Sequence, residues 1–485
     1  MIWERPIRIA MILATSSSVL GGNVCYSGFL EQVTSSIGQT DYPLSVGMSL
    51  GKIAIGSGGA ENSRGAVVIL DWVDESGSAC DIDLGHWEIE QELWGLNPGD
   101  EFGHAIAFQT SNLASIAPNA GDNGLLSVYL RTGVEGDMPW QLDETFEPSP
   151  GYSFTGQLEM ALPWMVAVEK NVHANTHLRI FKKDAIGWSE SNSIEMEPIS
   201  NLMDLSLTST TLAVGTPKLT FDNKYDEQGG IWVWRVDEWG AWMFESKITP
   251  VTQQTFLHAG QQVAVYGDYL AYSTGGFGTP HDMSLEMQAY DSDTKTWAPF
   301  VPPRGRQRSG EIGNVMDEAL MTGRGLYLSL ADTETGESAI LLVEFINGYV
   351  LTEVVRADVA DSTRSFDFVI DGHYMVAEGV KSGPQNRSVW LVPTRDCNAN
   401  GEDDVCDLCR FAGWDENENG SIDFCECPGN VFDEDPANPT VNEVDVLFLL
   451  DFLWGGVDGY GDCNTDGVTD VLDLLMVLEN WGSCS

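Results

Sequence analysis

The chain has 485 residues, of which 43% are apolar, and it contains 16 Trp and 51 Gly. This length and composition suffice for a large packed core together with a second, smaller module. The formal net charge is -49, which argues against nucleic acid and anionic membrane surfaces as partners. The charge is unevenly distributed, because residues 396–485 hold twenty-two Asp and Glu against a single Arg.

The N-terminus has the pattern of a secretory signal. Two arginines precede a short apolar run at 9–14, and small residues follow at 16–22. We predict that residues 1–24 are removed and that the mature protein is secreted, either extracellular or at the cell surface. No other stretch approaches the length of a transmembrane helix, so we expect no integral membrane segment after removal of the signal. Cys25 leaves a lipoprotein site as an alternative.

A short apolar segment recurs through residues 40–395 at intervals of roughly 47 to 60 residues, which is the length of one four-stranded propeller blade. Seven copies predict a mainly β protein with a seven-bladed β-propeller over residues 25–395. The copies begin at Ile53, Leu113, Met165, Leu212, Leu270, Leu326 and Tyr374.

Two further strands are predicted in most copies. After a Gly-containing loop comes a strand with alternating apolar residues, as in 65–70 and 230–234. The next strand begins with Trp, as at Trp87, Trp140 and Trp242. No interval contains a ten-residue amphipathic helix, so the whole region is predicted to be all-β.

Residues 26–35 resemble a lone copy of the last strand of a blade, with apolar side chains at Phe29, Leu30 and Val33. Pairing of this segment with the blade at 356–395 would close the ring and leave no free sheet edge. We therefore predict that the two ends of the repeat region share one blade.

Short motifs in the repeats suggest a family. Residues 102–107 read Phe-Gly-His-Ala-Ile-Ala, residues 116–118 read Ile-Ala-Pro, and residues 214–217 read Val-Gly-Thr-Pro. With these motifs the body resembles the FG-GAP propellers, the family that includes the head of integrin α chains, and the resemblance implies a binding domain. That family often carries Asp-x-Asp-x-Asp-Gly cation loops, whereas this body has only fragments at 122–124 and 222–223, which are typical of turns. We therefore predict no calcium in the propeller.

Three twelve-residue segments near the C-terminus place oxygen side chains at positions 1, 3, 5, 9 and 12, with Gly at position 6. This spacing is that of a loop that wraps Ca²⁺, in which position 7 contributes its backbone carbonyl. Calcium is therefore the predicted cofactor. The predicted ligands are Asp396, Asn398, Asn400, Glu402, Asp404 and Asp407 in the first loop, Asp415, Asn417, Asn419, Ser421, Asp423 and Glu426 in the second, and Asp462, Asn464, Asp466, Val468, Asp470 and Asp473 in the third.

Seven of the nine cysteines lie among these loops, at 397, 406, 409, 425, 427, 463 and 484. Disulfides are favoured, because the signal segment implies an oxidising compartment. A four-thiolate zinc site built from the cysteines at 406, 409, 425 and 427 is the alternative. The odd total leaves one thiol unassigned, and the pairing is left open.

The last loop runs directly into an apolar helical segment at 474–478, and a second helical segment is predicted at 444–454. With these features residues 428–485 resemble a dockerin, the α-helical, calcium-dependent domain that docks secreted bacterial proteins onto cohesin-type receptors. Residues 396–427 resemble the Asp- and Asn-rich spacers of thrombospondin type 3 repeats. The cysteines and the ending Trp-Gly-Ser-Cys depart from cellulosomal dockerins. The resemblance implies receptor contacts at positions 10 and 11 of each dockerin loop. These are Val471 and Leu472 in the last calcium loop, and Glu443 and Val444 in a degenerate copy of that loop at the start of the helical segment 444–454.

No motif in the chain identifies a catalytic site. The seven His are scattered, and neither His-Glu-x-x-His nor Gly-x-Ser-x-Gly occurs. His173 and His177 are interpreted as loop residues rather than a metal pair, and Arg304, Arg306 and Arg308 as a solvated loop rather than an anion site.

The predicted function is non-enzymatic recognition or adhesion. The propeller would bind an unknown protein or glycan ligand, and the tail would bind a cohesin-like or cell-surface partner. The alternative is an extracellular polysaccharide-active hydrolase or lyase that is targeted by its dockerin.

Overall fold

The computed structural model describes the blades of the predicted propeller most completely over residues 44–299. The described residues are 19–20, 23–24, 31–33, 44–49, 52–73, 86–132, 139–173, 175–196, 204–220, 226–237, 239–251, 254–275, 284–292, 294–299, 315–321, 325–331, 338–344, 350–357, 367–371, 374–380, 387–393, 440–441, 446, 474 and 482–483.

Near the N-terminus, β1 (Val19–Leu20) pairs with β2 (Asn23–Val24), and β3 (Glu31–Val33) follows. The next strands form antiparallel sheets of four, here called blades. Blade 1 contains β4 (Leu44–Ser49), β5 (Lys52–Ser57), β6 (Ala66–Val73) and β7 (His86–Trp94), and blade 2 contains β8 (Ala105–Gln109), β9 (Asn112–Ala117), β10 (Leu125–Arg131) and β11 (Trp140–Phe146). Blade 3 contains β12 (Tyr152–Ala161), β13 (Trp164–Asn171), β14 (Thr176–Lys183) and β15 (Trp188–Glu195), and blade 4 contains β16 (Asp204–Leu207), β17 (Thr211–Gly215), β18 (Ile231–Val236) and β19 (Trp242–Ile248).

The remaining blades follow the same plan. Blade 5 contains β20 (Val263–Tyr266), β21 (Tyr269–Thr274), β22 (Ser284–Asp291) and β23 (Thr296–Pro299), and blade 6 contains β24 (Val315–Met321), β25 (Gly325–Ala331), β26 (Ser338–Glu344) and β27 (Val350–Ala357). Blade 7 contains β28 (Asp367–Asp371), β29 (Tyr374–Val380), β30 (Arg387–Pro393) and, from the N-terminal region, β3. In the tail, β31 (Thr440–Val441) pairs with β32 (Gly482–Ser483).

The seven blades form a closed ring. The first strand of each blade contacts the first strand of the next, in the order β4, β8, β12, β16, β20, β24 and β28, and β28 contacts β4. A closed ring of four-stranded sheets is a β-propeller, as the spacing of the apolar segments predicts. The first strands are therefore innermost, and the fourth strands lie at the rim.

The predicted closing strand is confirmed. β3 pairs antiparallel with β30, with Glu31 opposite Leu391 and Val33 opposite Val389. The N-terminal region thus supplies the fourth strand of blade 7, and the ring closes without an unpaired edge on β30.

The recurring apolar segments are the second strands of the blades, such as β5, β9 and β13. β5 and β9 are buried along their whole length, because each lies inside its sheet and between two neighbouring blades. The strands that begin with Trp, predicted as third in order, are in fact the fourth strands. The difference arises because several innermost strands, such as β4, β12 and β16, mix polar and apolar residues and do not stand out from the loops.

The hydrophobic core lies between adjacent blades rather than in one central mass. One cluster joins Ile69 of blade 1 to Leu113 and Trp140 of blade 2. Another joins Val166 of blade 3 to Trp234 of blade 4. Each blade is therefore stabilised mainly by its two neighbours, so closure of the ring matters for stability.

Polar joints at the rim reinforce this packing. The Trp140 indole of blade 2 donates to Glu90 of blade 1 over 2.7 Å, and the Trp297 indole of blade 5 donates to Glu245 of blade 4 over 2.9 Å. Each carboxylate stands three residues after the Trp that begins its own fourth strand. The rim tryptophans therefore pack into the core and also tie each of these blades to the one before it.

The alternating strand directions define two faces of the propeller. The upper face carries the loops between second and third strands and the connections between blades, for example 58–65, 95–104 and 171–175. The lower face carries the turns between first and second strands and between third and fourth strands, for example 267–268 and 237–241. The third strand of each blade runs from the upper to the lower face, so β30 ends at the lower face.

Candidate recognition face

Two clasps fix the upper face between neighbouring blades. Gly65 forms a parallel bridge with Phe102, and Gly229 forms the equivalent bridge with Ala259. A Cβ on Gly65 would lie 2.0 Å from the Phe102 carbonyl oxygen, so the close approach of the two backbones requires glycine. The Phe-Gly pair at 102–103, which carries the FG-GAP resemblance, thus joins a loop of blade 1 to the start of blade 2.

The clasps concentrate backbone strain on this face. The short segment α1 (Ala60–Ser63) lies in the first clasp, and it is a left-handed turn because Glu61 and Asn62 have φ of 47° and 60°. Glu227 and His258 have φ of 47° and 50° in the second clasp. Such conformations cost of order 1–3 kcal/mol each and persist where surrounding contacts impose them. The upper loops are therefore rigid where the clasps hold them.

A buried ionic centre lies beneath the upper face of blade 3. Glu169, near the end of β13, is fully buried. One carboxylate oxygen accepts the Ser149 backbone N–H and an Arg179 Nη1 hydrogen, each over 3.0 Å. The other oxygen lies 3.2 Å from His177 Nδ1. The connection before β12 and the strand β14 thus both converge on this one carboxylate of β13.

Arg179 connects this centre to the outer strand. Its Nη2 donates to Glu190 over 2.6 Å, and its guanidinium lies 5.0 Å from the centroid of the Phe181 ring. Burial alone would raise the pKa of Glu169, but the hydrogen bonds from His177, Ser149 and Arg179 outweigh it and hold that pKa below its ordinary value. The carboxylate is therefore charged and fully engaged, which suits a supporting role better than proton transfer.

Tyr152 and His177 connect this buried centre to the protein surface. The Tyr152 ring lies 5.2 Å from the His177 ring, and both residues are partly exposed. Because Glu169 fixes His177 from below, the pair presents a hydroxyl and an imidazole in a set orientation. The arrangement can donate and accept hydrogen bonds to a ligand lying on the upper face.

Histidine–glutamate pairs recur along this face. His104 Nδ1 lies 3.5 Å from Glu101 Oε2, and His258 Nε2 lies 2.8 Å from Glu227 Oε2. His104 occupies space left by Gly156, since a Cβ there would lie 2.6 Å from His104 Nε2. Together with His177 these pairs place imidazoles on the upper side of blades 2 to 5. The His177–Glu169 and His258–Glu227 pairs join different strands or loops and leave no local pattern in the sequence, whereas Glu101 and His104 are three residues apart in one connection.

Asp204 lies where the upper face meets the inner wall. It begins the innermost strand of blade 4, and its carboxylate accepts the Val263 backbone N–H of blade 5 over 2.7 Å and that of Leu205 over 2.8 Å. Burial raises its pKa to about 7, although both hydrogen bonds act in the opposite direction.

This pKa predicts a pH-dependent stability. The folded state binds the Asp204 proton more tightly than the unfolded chain, so the free energy of unfolding falls as the pH rises from about 4 to about 7. In the Asp204→Asn variant we expect the free energy of unfolding to fall by roughly 2 kcal/mol less over this pH range than in the unmodified protein. Denaturant titrations of both proteins at about pH 5 and about pH 8 measure the difference. An unchanged pH dependence in the variant would contradict the assignment.

The structure locates several residues that the sequence singles out. His173 lies in the loop of blade 3, where its backbone N–H donates to Asn171 Oδ1, whereas His177 belongs to β14 and contacts Glu169. Asn123 is in a turn and accepts the Phe154 backbone N–H through its carbonyl, as predicted for a turn residue. The described residues contain no group of three or more His, Cys, Asp or Glu placed to hold a metal ion.

The predicted calcium ligands between 396 and 473 lie outside the described residues. So do the predicted receptor contacts at 443–444 and 471–472, the arginines at 304–308, the Asp-Asn pair at 222–223 and the cysteines. In the tail, Val446 and Leu474 have helical backbone, and both fall in the predicted helices. Among the described residues, no helix has the length and apolarity needed to cross a membrane.

No protein-family model matches this chain, and no curated protein matches it either. Solved structures do resemble it at low identity. The β-propeller domain of the Trilobed protease from Pyrococcus furiosus, which has an open velcro topology, is 11% identical with a TM-score of 0.41, covering 73% of this chain and 98% of that one. A putative 6-phosphogluconolactonase from Bacteroides uniformis is 14% identical with a TM-score of 0.42, covering 71% and 94%. Sqt1 from Chaetomium thermophilum, bound to the N-terminus of ribosomal protein L10, is 11% identical with a TM-score of 0.44, covering 79% and 93%.

Proposed function

We propose that the protein is a secreted, non-enzymatic recognition propeller carried on a calcium-folded attachment tail. The upper face binds a protein or glycan ligand, and residues 396–485 fold around Ca²⁺ and bind a cohesin-like or cell-surface partner. The predicted signal at 1–24 and the FG-GAP and dockerin resemblances motivate this function.

The direction in which the chain leaves the ring carries the proposal. β30 is the third strand of blade 7 and ends at Pro393 on the lower face. The predicted tail begins at residue 396, three residues after Pro393, so in this proposal the attachment point is on the lower side of the ring. A propeller attached in this way turns its upper face, with its clasps and His–Glu pairs, away from the anchor and toward a ligand.

The chemistry of the upper face supports recognition. The charged groups of the buried centre are held by several partners each, so they fix neighbouring side chains instead of remaining available for proton transfer. Binding surfaces on loops held by a rigid scaffold lose little conformational entropy when a ligand binds. Tyr152 and His177 meet this description best.

The composition of the tail supports folding by calcium. Its twenty-two acidic residues repel one another without a counterion, and bound Ca²⁺ neutralises such oxygen ligands and drives folding. The pairing of Thr440 with Ser483 brings the segment before the first predicted helix next to the end of the chain. This closure is what a small independent module would require.

Calorimetric titration of the full chain with Ca²⁺ tests the proposal. We expect Asp462→Ala combined with Asp473→Ala to lower the number of bound ions by one, because these residues open and close the third loop. Asp122→Ala, an exposed carboxylate in a propeller turn, is the matched control and should leave the number unchanged. Equal stoichiometry in the loop variant and the unmodified protein would show that the third loop binds no calcium.

A further inference from the structure

Exposed aromatic residues gather on the lower face where blades 4 and 5 meet. Trp239 is 84% exposed at the tip of the turn between β18 and β19. Tyr266 and Tyr269 are 48% and 42% exposed at the turn between β20 and β21. Of the large aromatic residues exposed in the described part of the chain, most belong to these two turns.

Hydrogen bonds fix the turn that carries Trp239. Asp237 Oδ1 accepts the backbone N–H groups of Trp239 and Ala241 over 2.9 and 2.8 Å. Gly240 completes the turn with φ of 79°. The indole is therefore presented on a rigid support, so its binding would cost little conformational entropy.

An ion pair joins this turn to its neighbour in blade 5. Asp268 Oδ1 accepts two Arg235 hydrogens, each over 3.1 Å. The Arg235 guanidinium lies 4.0 Å from the centroid of the Tyr290 ring, and the Tyr290 backbone N–H donates to the Asp268 carbonyl over 2.7 Å. The two turns, and the rings at their tips, are thus held in a fixed relation across the blade junction.

Trp239 and Tyr266 are exposed rather than packed in the core. Trp242, three positions after Trp239, is by contrast buried, with 5% exposure. Exposing an indole and two phenol rings to water forgoes the stabilisation that burial would give, of order 1.5–3 kcal/mol for a large apolar side chain. A ligand that covers the rings would recover part of it.

We propose that these turns form a binding site for a neutral carbohydrate chain, with Trp239 and Tyr266 as the stacking platforms. The C–H faces of a sugar ring pack on aromatic rings, and phenol hydroxyls exchange hydrogen bonds with sugar hydroxyls. Arg235 and Asp268 at the junction pair with each other, and Asp237 accepts backbone N–H groups, so these charges are already engaged, which favours a neutral ligand. The net charge of -49 also disfavours polyanions.

The size of the patch favours a glycan over a protein. Three partly exposed rings, at about 150–250 Å² for each complete ring, offer a few hundred Å² at most. A stable protein–protein interface takes roughly 800 Å² from each partner. The site lies on the lower face, at which β30 ends, so under the proposed function a glycan there would hold the propeller against the same surface as the tail. It is independent of the upper face and of calcium.

Affinity electrophoresis of the full chain through gels containing soluble polysaccharides tests the site. The probes are hydroxyethyl cellulose, xyloglucan, galactomannan and laminarin, with polygalacturonate as the charged comparison. We expect retardation by at least one neutral polymer and none by polygalacturonate. The variant Trp239→Ala with Tyr266→Ala should raise the dissociation constant about tenfold or more.

Ile186→Ala is the matched control. Ile186 is 96% exposed at the corresponding turn of blade 3, where Asp184 Oδ1 accepts its backbone N–H. This variant should migrate like the unmodified protein, and all three proteins should share one thermal midpoint. Retardation that persists in the Trp239→Ala, Tyr266→Ala variant would overturn the site. Retardation by no neutral polymer would overturn it as well and leave the rings to a protein partner.

Discussion

Glu169→Ala is expected to destabilise the propeller by about 3–5 kcal/mol. The substitution removes the buried carboxylate partner of Arg179 and leaves it only the partly exposed Glu190, and removing one partner of a buried ion pair costs this much. It also frees the Ser149 backbone N–H and His177 from their shared acceptor. Denaturant unfolding monitored by tryptophan fluorescence measures the loss.

Glu190→Ala is the control for this prediction. Glu190 also pairs with Arg179, but its side chain is 43% exposed, and exposed ion pairs contribute at most about 1 kcal/mol. Equal losses for the two variants would show that burial does not set the strength of the centre.

The contribution of Glu169 to stability should also depend on pH. Because the pKa of Glu169 lies below its ordinary value, this contribution should be present above about pH 4.5 and disappear as the pH falls through the folded-state pKa.

Removal of the closing strand is the second large effect. A chain that begins at residue 35 lacks β3, so β30 becomes an unpaired edge and blade 7 loses its contact with the N-terminal region. Lost backbone hydrogen bonds at about 1 kcal/mol each, together with lost burial of apolar side chains, should lower the free energy of unfolding by about 3–5 kcal/mol. The exposed edge should also promote self-association.

A chain that begins at residue 25 provides the reference for this comparison, and both are measured by thermal unfolding and light scattering. A peptide of residues 26–35 added in trans should restore the thermal midpoint of the shorter chain, whereas a scrambled peptide should not. Equal stability of the two chains would mean that β3 does not hold the ring closed.

The propeller could be predicted because its second strands are buried on both sides. Segments such as 53–56 and 113–116 read as continuous apolar runs for that reason, and their spacing gives the blade count. The closing strand was predictable from the isolated apolar pattern at 26–35. Strands that lie inside their sheets could therefore be recognised in the sequence by their apolar residues.

The innermost strands are harder to recognise in the sequence. β16 begins with Asp204 and alternates polar and apolar residues, because one side of the strand reaches the next blade through hydrogen bonds, as in the bond from Val265 N–H to Ser206 Oγ. A short alternating strand of four residues does not stand out among loops. This is why the third strand predicted from the Trp pattern is the fourth in the structure.

The buried centre of blade 3 could not be predicted. Glu169 and His177 are separated by eight positions in sequence, and they meet because the register of β13 on β14 places them opposite each other. Ser149 joins them only because the connection between blades 2 and 3 folds over the end of β13. Contacts of this kind depend on register and loop path, neither of which composition or spacing reveals.

In the proposed arrangement calcium folds the tail, whereas the propeller is folded without calcium. Hydrogen–deuterium exchange of the oxidised full chain, in calcium and in chelator, tests this because one measurement follows both regions. We expect calcium to slow exchange in residues 396–485 and to leave exchange in β4 to β23 unchanged. Equal exchange of the tail in calcium and chelator would contradict it, and so would a loss of protection in the propeller when calcium is removed.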